Sequence, residues 1–118
     1  MRILVVDDSA AIRSRLVAML REIPGVEAHE AAGADEALAL AEASPLDLVV
    51  LDLHMPGKGG LEILPALKQL AAAPRVVVLT SHPTDQHRRL SLASGADFFF
   101  DKSREFARVV ELVRAARG

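Results

Sequence analysis

Asp7-Asp8, Asp52, Thr80-Ser81 and Lys102 are the residues of this chain whose types and order could do chemistry together. Three carboxylates brought close repel one another, and at least one is driven towards its protonated form unless a cation sits among them. An all-oxygen donor set with room for water suits Mg²⁺ or Mn²⁺. Lys102 adds a mobile positive charge opposite the acids, and Thr80 adds a hydroxyl donor. A pocket holding a divalent cation, an ammonium and a hydroxyl is built to take a phosphoryl group. No Ser, Cys or Tyr adjoins Asp52, which makes its carboxylate the natural nucleophile.

The elements that must position these groups follow from hydrophobic pattern. Residues 3–6 are β-branched and apolar on both faces, the mark of a buried strand, and Asp7-Asp8 follow directly. Ser9 can cap a helix with Ile12, Leu16, Met19 and Leu20 as its apolar stripe, ended by Pro24-Gly25. Residues 26–31 are a weaker strand. Gly33 leads into an Ala-rich helix through about Ala43, stopped by Ser44-Pro45. Residues 48–51 form a strand that delivers Asp52. A Pro- and Gly-rich loop over 55–60 precedes a helix over about 61–72, in which Pro65 should remove a hydrogen bond and kink the axis. Residues 76–79 are a strand with Thr80 at its end. Thr84 or Asp85 opens a helix that Gly95 closes, with Leu90, Leu92 and Ala93 as its candidates for burial. Residues 98–100 are the last strand, ending at Asp101-Lys102, and Ser103 is the expected cap of a final helix with Phe106, Val109, Val110 and Val113 on one face.

Five strand–helix alternations imply an α/β fold with a parallel sheet and helices on both faces. In such a sheet the crevice beyond the carboxyl ends of the strands binds ligands. Each group has a blander reading: Asp7-Asp8 as helix caps, Asp52 as the start of a turn, Thr80 as a strand end, Lys102 as a solvated cation. The conjunction favours the site, because one functional group closes each of four expected strands on the same side of the sheet.

In that combination, LVVLDLHMPGKGGLEIL around Asp52, VVVLTS ending at Thr80-Ser81 and GADFFFDKS around Lys102, together with Asp7-Asp8, resemble the receiver domains of two-component response regulators. The resemblance covers essentially the whole chain, residues 1–118, as one receiver domain. It implies a doubly wound five-stranded sheet of order 2-1-3-4-5. It implies Asp52 as phosphoacceptor, with Asp7, Asp8, Asp52 and the backbone carbonyl of His54 around Mg²⁺. Thr80 and Lys102 would bind the phosphoryl oxygens, and Phe99 stands at the switching aromatic. His54 and His82 occupy the positions used to tune hydrolysis of the acyl phosphate; a neutral imidazole there could hold water or accept its proton, and its bulk could block the water. His29 and His87 show no ligand spacing and read as structural or surface residues. The chain departs from the family pattern at Ser103, where Pro is commonest and a cis bond would be a costly non-proline one. It departs also at Ser81 in place of Ala, and at Phe99, whose switch must rest on packing alone.

The implied partners are a sensor histidine kinase or phosphotransfer protein as donor and an output protein as receiver of the signal. The expected output surface comprises the helix over 84–94, the strand over 98–100 and the helix from 103, with Leu112 exposed for a partner or a symmetric dimer. A net charge of −2 with no basic run argues against direct nucleic-acid binding. The absence of Cys excludes disulfides and thiolate metal sites. No apolar stretch has the length of a membrane span, and the N-terminus turns acidic too soon for a signal peptide, so the cytoplasm is the expected setting. Three functions compete: a stand-alone phosphoacceptor switch, the receiver portion of a longer transcription factor or output enzyme, and a small phosphatase with an aspartate nucleophile. The last fits least, because haloacid-dehalogenase-like enzymes carry a second acid where this chain has His54.

Overall fold

The structure, a computed structural model, describes residues 1–55, 59–81 and 83–117. In chain order its elements are β1 (Arg2–Val6), α1 (Ala10–Arg21), β2 (Glu27–Ala31), α2 (Ala34–Ala43), β3 (Leu48–Leu51), α3 (Gly60–Lys68), β4 (Arg75–Thr80), α4 (Asp85–Ala93), β5 (Phe98–Asp101) and α5 (Phe106–Arg117). The strands make one parallel sheet in the order β2-β1-β3-β4-β5, as the resemblance implied. The central strands β1, β3 and β4 are apolar on both faces because both faces are covered. Leu4, Val6, Val49, Leu51, Val76 and Val78 pack under α2 and α3, while Ile3, Val5, Leu48, Val50, Val77 and Leu79 pack under α1 and α5. Burying each such side chain contributes about 1.5–3 kcal/mol.

Register decides where the polar residues emerge. Val6 pairs with Leu51, and Leu51 with Val78. Thr80 pairs with Asp101. Asp7 and Asp52 therefore leave the sheet side by side, at the end where Thr80 and Lys102 also stand. The Asp52 N–H donates to the Val6 carbonyl at 3.0 Å, which carries the ladder one residue beyond the strand. At Gly60 the start of α3 presses on this same backbone. A Cβ there would collide with the Asp52 carbonyl oxygen and lie 2.9 Å from the Leu53 Cα, so only glycine lets the helix begin so close to the acceptor.

Several expectations are corrected. In α1, Leu16, Val17 and Leu20 are the buried residues, and Ile12 and Met19 are only half-buried. α3 ends at Lys68 rather than near Ala72. Its end is tied down where Lys68 Nζ donates to the Pro74 carbonyl at 2.9 Å and to Asp97 Oδ2 at 3.0 Å. Pro65 does stand inside α3, where it was expected. In α4, Leu90 and Leu92 are each 45% exposed and Ala93 is exposed; the buried residue is Ser91. The helix turns Ser91, and the half-buried His87 one turn before it, towards the body of the protein, which places Leu90 and Leu92 about 100° to either side. Ser103 does not cap α5. Its N–H and hydroxyl both donate to Asp101 Oδ1, at 2.9 and 2.7 Å, closing a turn, and the helix starts at Phe106. Leu112 is half-buried against the α1/α5 core and not fully exposed. No cis peptide bond occurs among the described residues.

Candidate functional site

Asp7 and Asp52 are each 4% exposed and Thr80 is fully buried, whereas Asp8 faces solvent. One carboxylate oxygen from each of Asp7, Asp8 and Asp52 lies within 4.8 Å of the others. Lys102 crosses from the far side of β4, its Nζ 2.6 Å from Asp7 Oδ2 and 3.5 Å from Asp52 Oδ2. Its own N–H donates to the Thr80 carbonyl at 2.8 Å, so the ends of β4 and β5 hold the lysine over the acids. The other oxygen of Asp7 accepts from the Ser9 N–H at 2.9 Å. Asp52 Oδ1 accepts a longer bond, 3.3 Å, from the His54 N–H.

Electrostatically the cluster is unbalanced. Burial pushes the Asp52 carboxyl above its ordinary value, and the charge of Asp7 adds to this against the pull of Lys102 and the His54 N–H. Among the described residues one ammonium, that of Lys102, is shared by Asp7 and Asp52, and every donor among the three acids is oxygen. That donor set fits a hard divalent cation and no thiolate- or imidazole-seeking one.

Phe99 is buried on the α2/α3 side of the sheet, and the Arg88 guanidinium lies 5.7 Å from its ring centroid. The exposed ring of His54 meets His87 edge-on, with centroids 5.0 Å apart. His87, read from sequence as a structural or surface residue, thus links the loop after the acceptor to the first turn of α4. His82 and residues 56–58 lie outside the described residues. Sequence reasoning missed Arg13, which reaches the Asp7 carbonyl at 2.6 Å and Glu30 Oε1 at 3.0 Å. A signal existed: a cation near the N-terminus of a helix opposes the helix dipole and calls for another reason to be there.

A doubly wound parallel sheet bearing an acid cluster, a buried hydroxyl and a lysine at the carboxyl ends of its strands defines a class of small phosphoryl-handling domains. A family model described as the response regulator receiver domain matches residues 3–114, and the chain belongs to that family. It is 36% identical over 114 residues to the transcriptional regulatory protein ResD of Bacillus subtilis, covering 97% of this chain and 47% of that protein. Among solved structures it resembles the CheY-like receiver domain protein of Methanospirillum hungatei, with 29% identity and a TM-score of 0.88 over 98% of this chain and 91% of that one. It also resembles a response regulator of Burkholderia pseudomallei crystallised with a phosphorylated aspartic acid, a calcium ion and citrate. There the identity is 26% and the TM-score 0.80, over 99% of this chain and 72% of that one. The chain spans half or less of the length of the curated relatives it matches. None of its described helices is long and apolar enough to cross a membrane.

Proposed function

We propose that the domain is a phosphoacceptor switch whose nucleophile is Asp52. The observation that carries this reading is the meeting of Asp7, Asp8 and Asp52 within 4.8 Å of one another under the Lys102 ammonium. A carboxylate oxygen of Asp52 attacks the phosphorus of a phosphohistidine on a sensor kinase or phosphotransfer protein, or of a small acyl phosphate. The bond from phosphorus to the donor breaks, the donor leaves with the electron pair and takes up a proton if it is imidazole, and an acyl phosphate remains on Asp52. Mg²⁺, or Mn²⁺, held by Asp7, Asp8, Asp52 and the His54 carbonyl would supply charge neutralisation for the phosphoryl oxygens. Lys102, already shared between Asp7 and Asp52, turns its ammonium to one phosphoryl oxygen, and the Thr80 hydroxyl donates to another. The phosphorylated aspartic acid and bound calcium in the Burkholderia pseudomallei relative support the assignment.

The response reaches the surface through α4. This helix buries only Ser91 and carries Leu90 and Leu92 outside, so few apolar contacts hold it. Phe99 meets it through packing and through the Arg88 guanidinium, 5.7 Å from the ring centroid. The face of α4, β5 and α5 would meet the output protein, in the cytoplasm, with no direct contact to nucleic acid. The domain catalyses only its own phosphorylation and dephosphorylation. A second reading, the receiver portion of a longer regulator, is favoured by the share of its relatives that the chain spans. Radiolabelled acetyl phosphate separates a switch from a phosphatase. A switch retains one phosphoryl group per chain, while continuous release of phosphate from unrelated phosphomonoesters would refute the proposal.

A further inference from the structure

Arg13, on α1, grips two acceptors at once. Its Nη1 donates to the Asp7 carbonyl at 2.6 Å and its Nε to Glu30 Oε1 on β2 at 3.0 Å. The side chain is 16% exposed, so the fork is largely shielded from water. The peptide joining Asp7 to Asp8 is planar, and a grip on its oxygen also fixes the nitrogen and Cα of Asp8. This matters because the three acids are not equally supported. Asp7 is buried and held by the Ser9 N–H and Lys102, and Asp52 is buried and held through Val6 and the His54 N–H. Asp8 is exposed at the solvent edge.

We propose that Arg13 is a positioning residue for the cation site: through the Asp7 carbonyl, braced by Glu30, it sets where the Asp8 carboxylate stands relative to Asp7 and Asp52. This rests on reading those three acids as a cation site. The grip uses two nitrogens of one planar fork, Nη1 and Nε, whereas a lysine would have to reach both acceptors from a single nitrogen at the end of a shorter stem. Removing it leaves all three acids in place but lets Asp8 wander. The occupied site is thereby penalised, and the chemistry at Asp52 once the site is full is not.

The test is a Mg²⁺ titration followed by amide shifts, without any phosphodonor, paired with phosphorylation rates from acetyl phosphate across Mg²⁺ concentrations. Arg13→Ala should raise the half-saturating Mg²⁺ concentration roughly tenfold, the effect expected of a group that orients a ligand. The rate at saturating Mg²⁺ should hold. Arg13→Lys should recover less than half of the lost affinity, and Glu30→Gln should shift affinity in the same sense by less. Wild-type Mg²⁺ affinity in a folded Arg13→Ala protein overturns the proposal, as does full rescue by lysine. Should Arg13→Ala fail to fold, Glu30→Gln decides, and an unchanged affinity there overturns it too. Asp8→Ala separates the two levels. If it abolishes Mg²⁺ binding while the Arg13 variants bind normally, only the positioning role fails. If the wild type binds no Mg²⁺, the cation-site reading falls with it.

Discussion

Replacing Gly60 by alanine tests whether α3 is built against the acceptor backbone. The new Cβ would overlap the Asp52 carbonyl oxygen and sit 2.9 Å from the Leu53 Cα. Both neighbours are backbone and cannot rotate aside, so the cost belongs near the upper end of the ~1–3 kcal/mol typical of overpacking. Against it stands a gain of about 0.5–1 kcal/mol from the lower entropy of the unfolded chain. The net loss is about 2 kcal/mol. With an unfolding entropy of about 2.1 cal/mol/K per residue, a chain of 118 residues should lose about 8 °C in Tm. Two other glycines calibrate the result. At Gly59 a Cβ would meet only the Leu53 carbonyl at 3.2 Å, and at Gly33 nothing lies within 4 Å. Thermal unfolding by circular dichroism should therefore rank the variants Gly60→Ala, Gly59→Ala, Gly33→Ala in order of decreasing loss. Phosphorylation should slow in the first, because the carbonyl that must move belongs to Asp52. A Gly60→Ala protein as stable as Gly33→Ala would refute this reasoning.

Ser91→Ala should raise stability by about 1 kcal/mol in chemical denaturation, since the Ser91 hydroxyl is buried with no hydrogen-bond partner among the described residues; a loss of stability would show that the hydroxyl is satisfied. Asp52→Asn should stabilise the fold at neutral pH. A carboxyl raised above 3.8 by burial favours folding only while protonated, and that contribution disappears as pH rises through its folded value. The difference between wild type and Asp52→Asn should accordingly shrink on acidification towards pH 3.8, and a gap independent of pH would contradict the sign. His54→Ala, His82→Ala and the double variant should each lose the acyl phosphate faster than wild type, because they remove the bulk that the family resemblance puts beside the attacking water; equal decay of all four would make these histidines ordinary loop residues.

The central strands were legible because β1, β3 and β4 are covered on both faces and so are written as unbroken Val, Ile and Leu. The polar residue that ends each run marks the edge of the sheet, which is why Asp7, Asp52, Thr80 and Lys102 could be read as one site before any geometry. What escaped the sequence depended on partners remote in the chain. α3 stops at Lys68, whose ammonium is tied to the Pro74 carbonyl and Asp97, residues remote from the helix. α5 starts late because Asp101 captures Ser103. α4 buries a serine and exposes two leucines, so hydrophobicity there pointed to the wrong face. The clamp of Arg13 on Asp7 and the meeting of His54 with His87 are tertiary contacts that helical or strand periodicity does not encode.

The most direct test of the account is intact mass after incubation with acetyl phosphate and Mg²⁺, comparing wild type with Asp52→Asn. The account predicts that the wild type gains the mass of one phosphoryl group per chain, that chelating the metal prevents the gain, and that Asp52→Asn gains nothing. A wild type that stays unmodified, or an Asp52→Asn variant that is phosphorylated as readily, would contradict it.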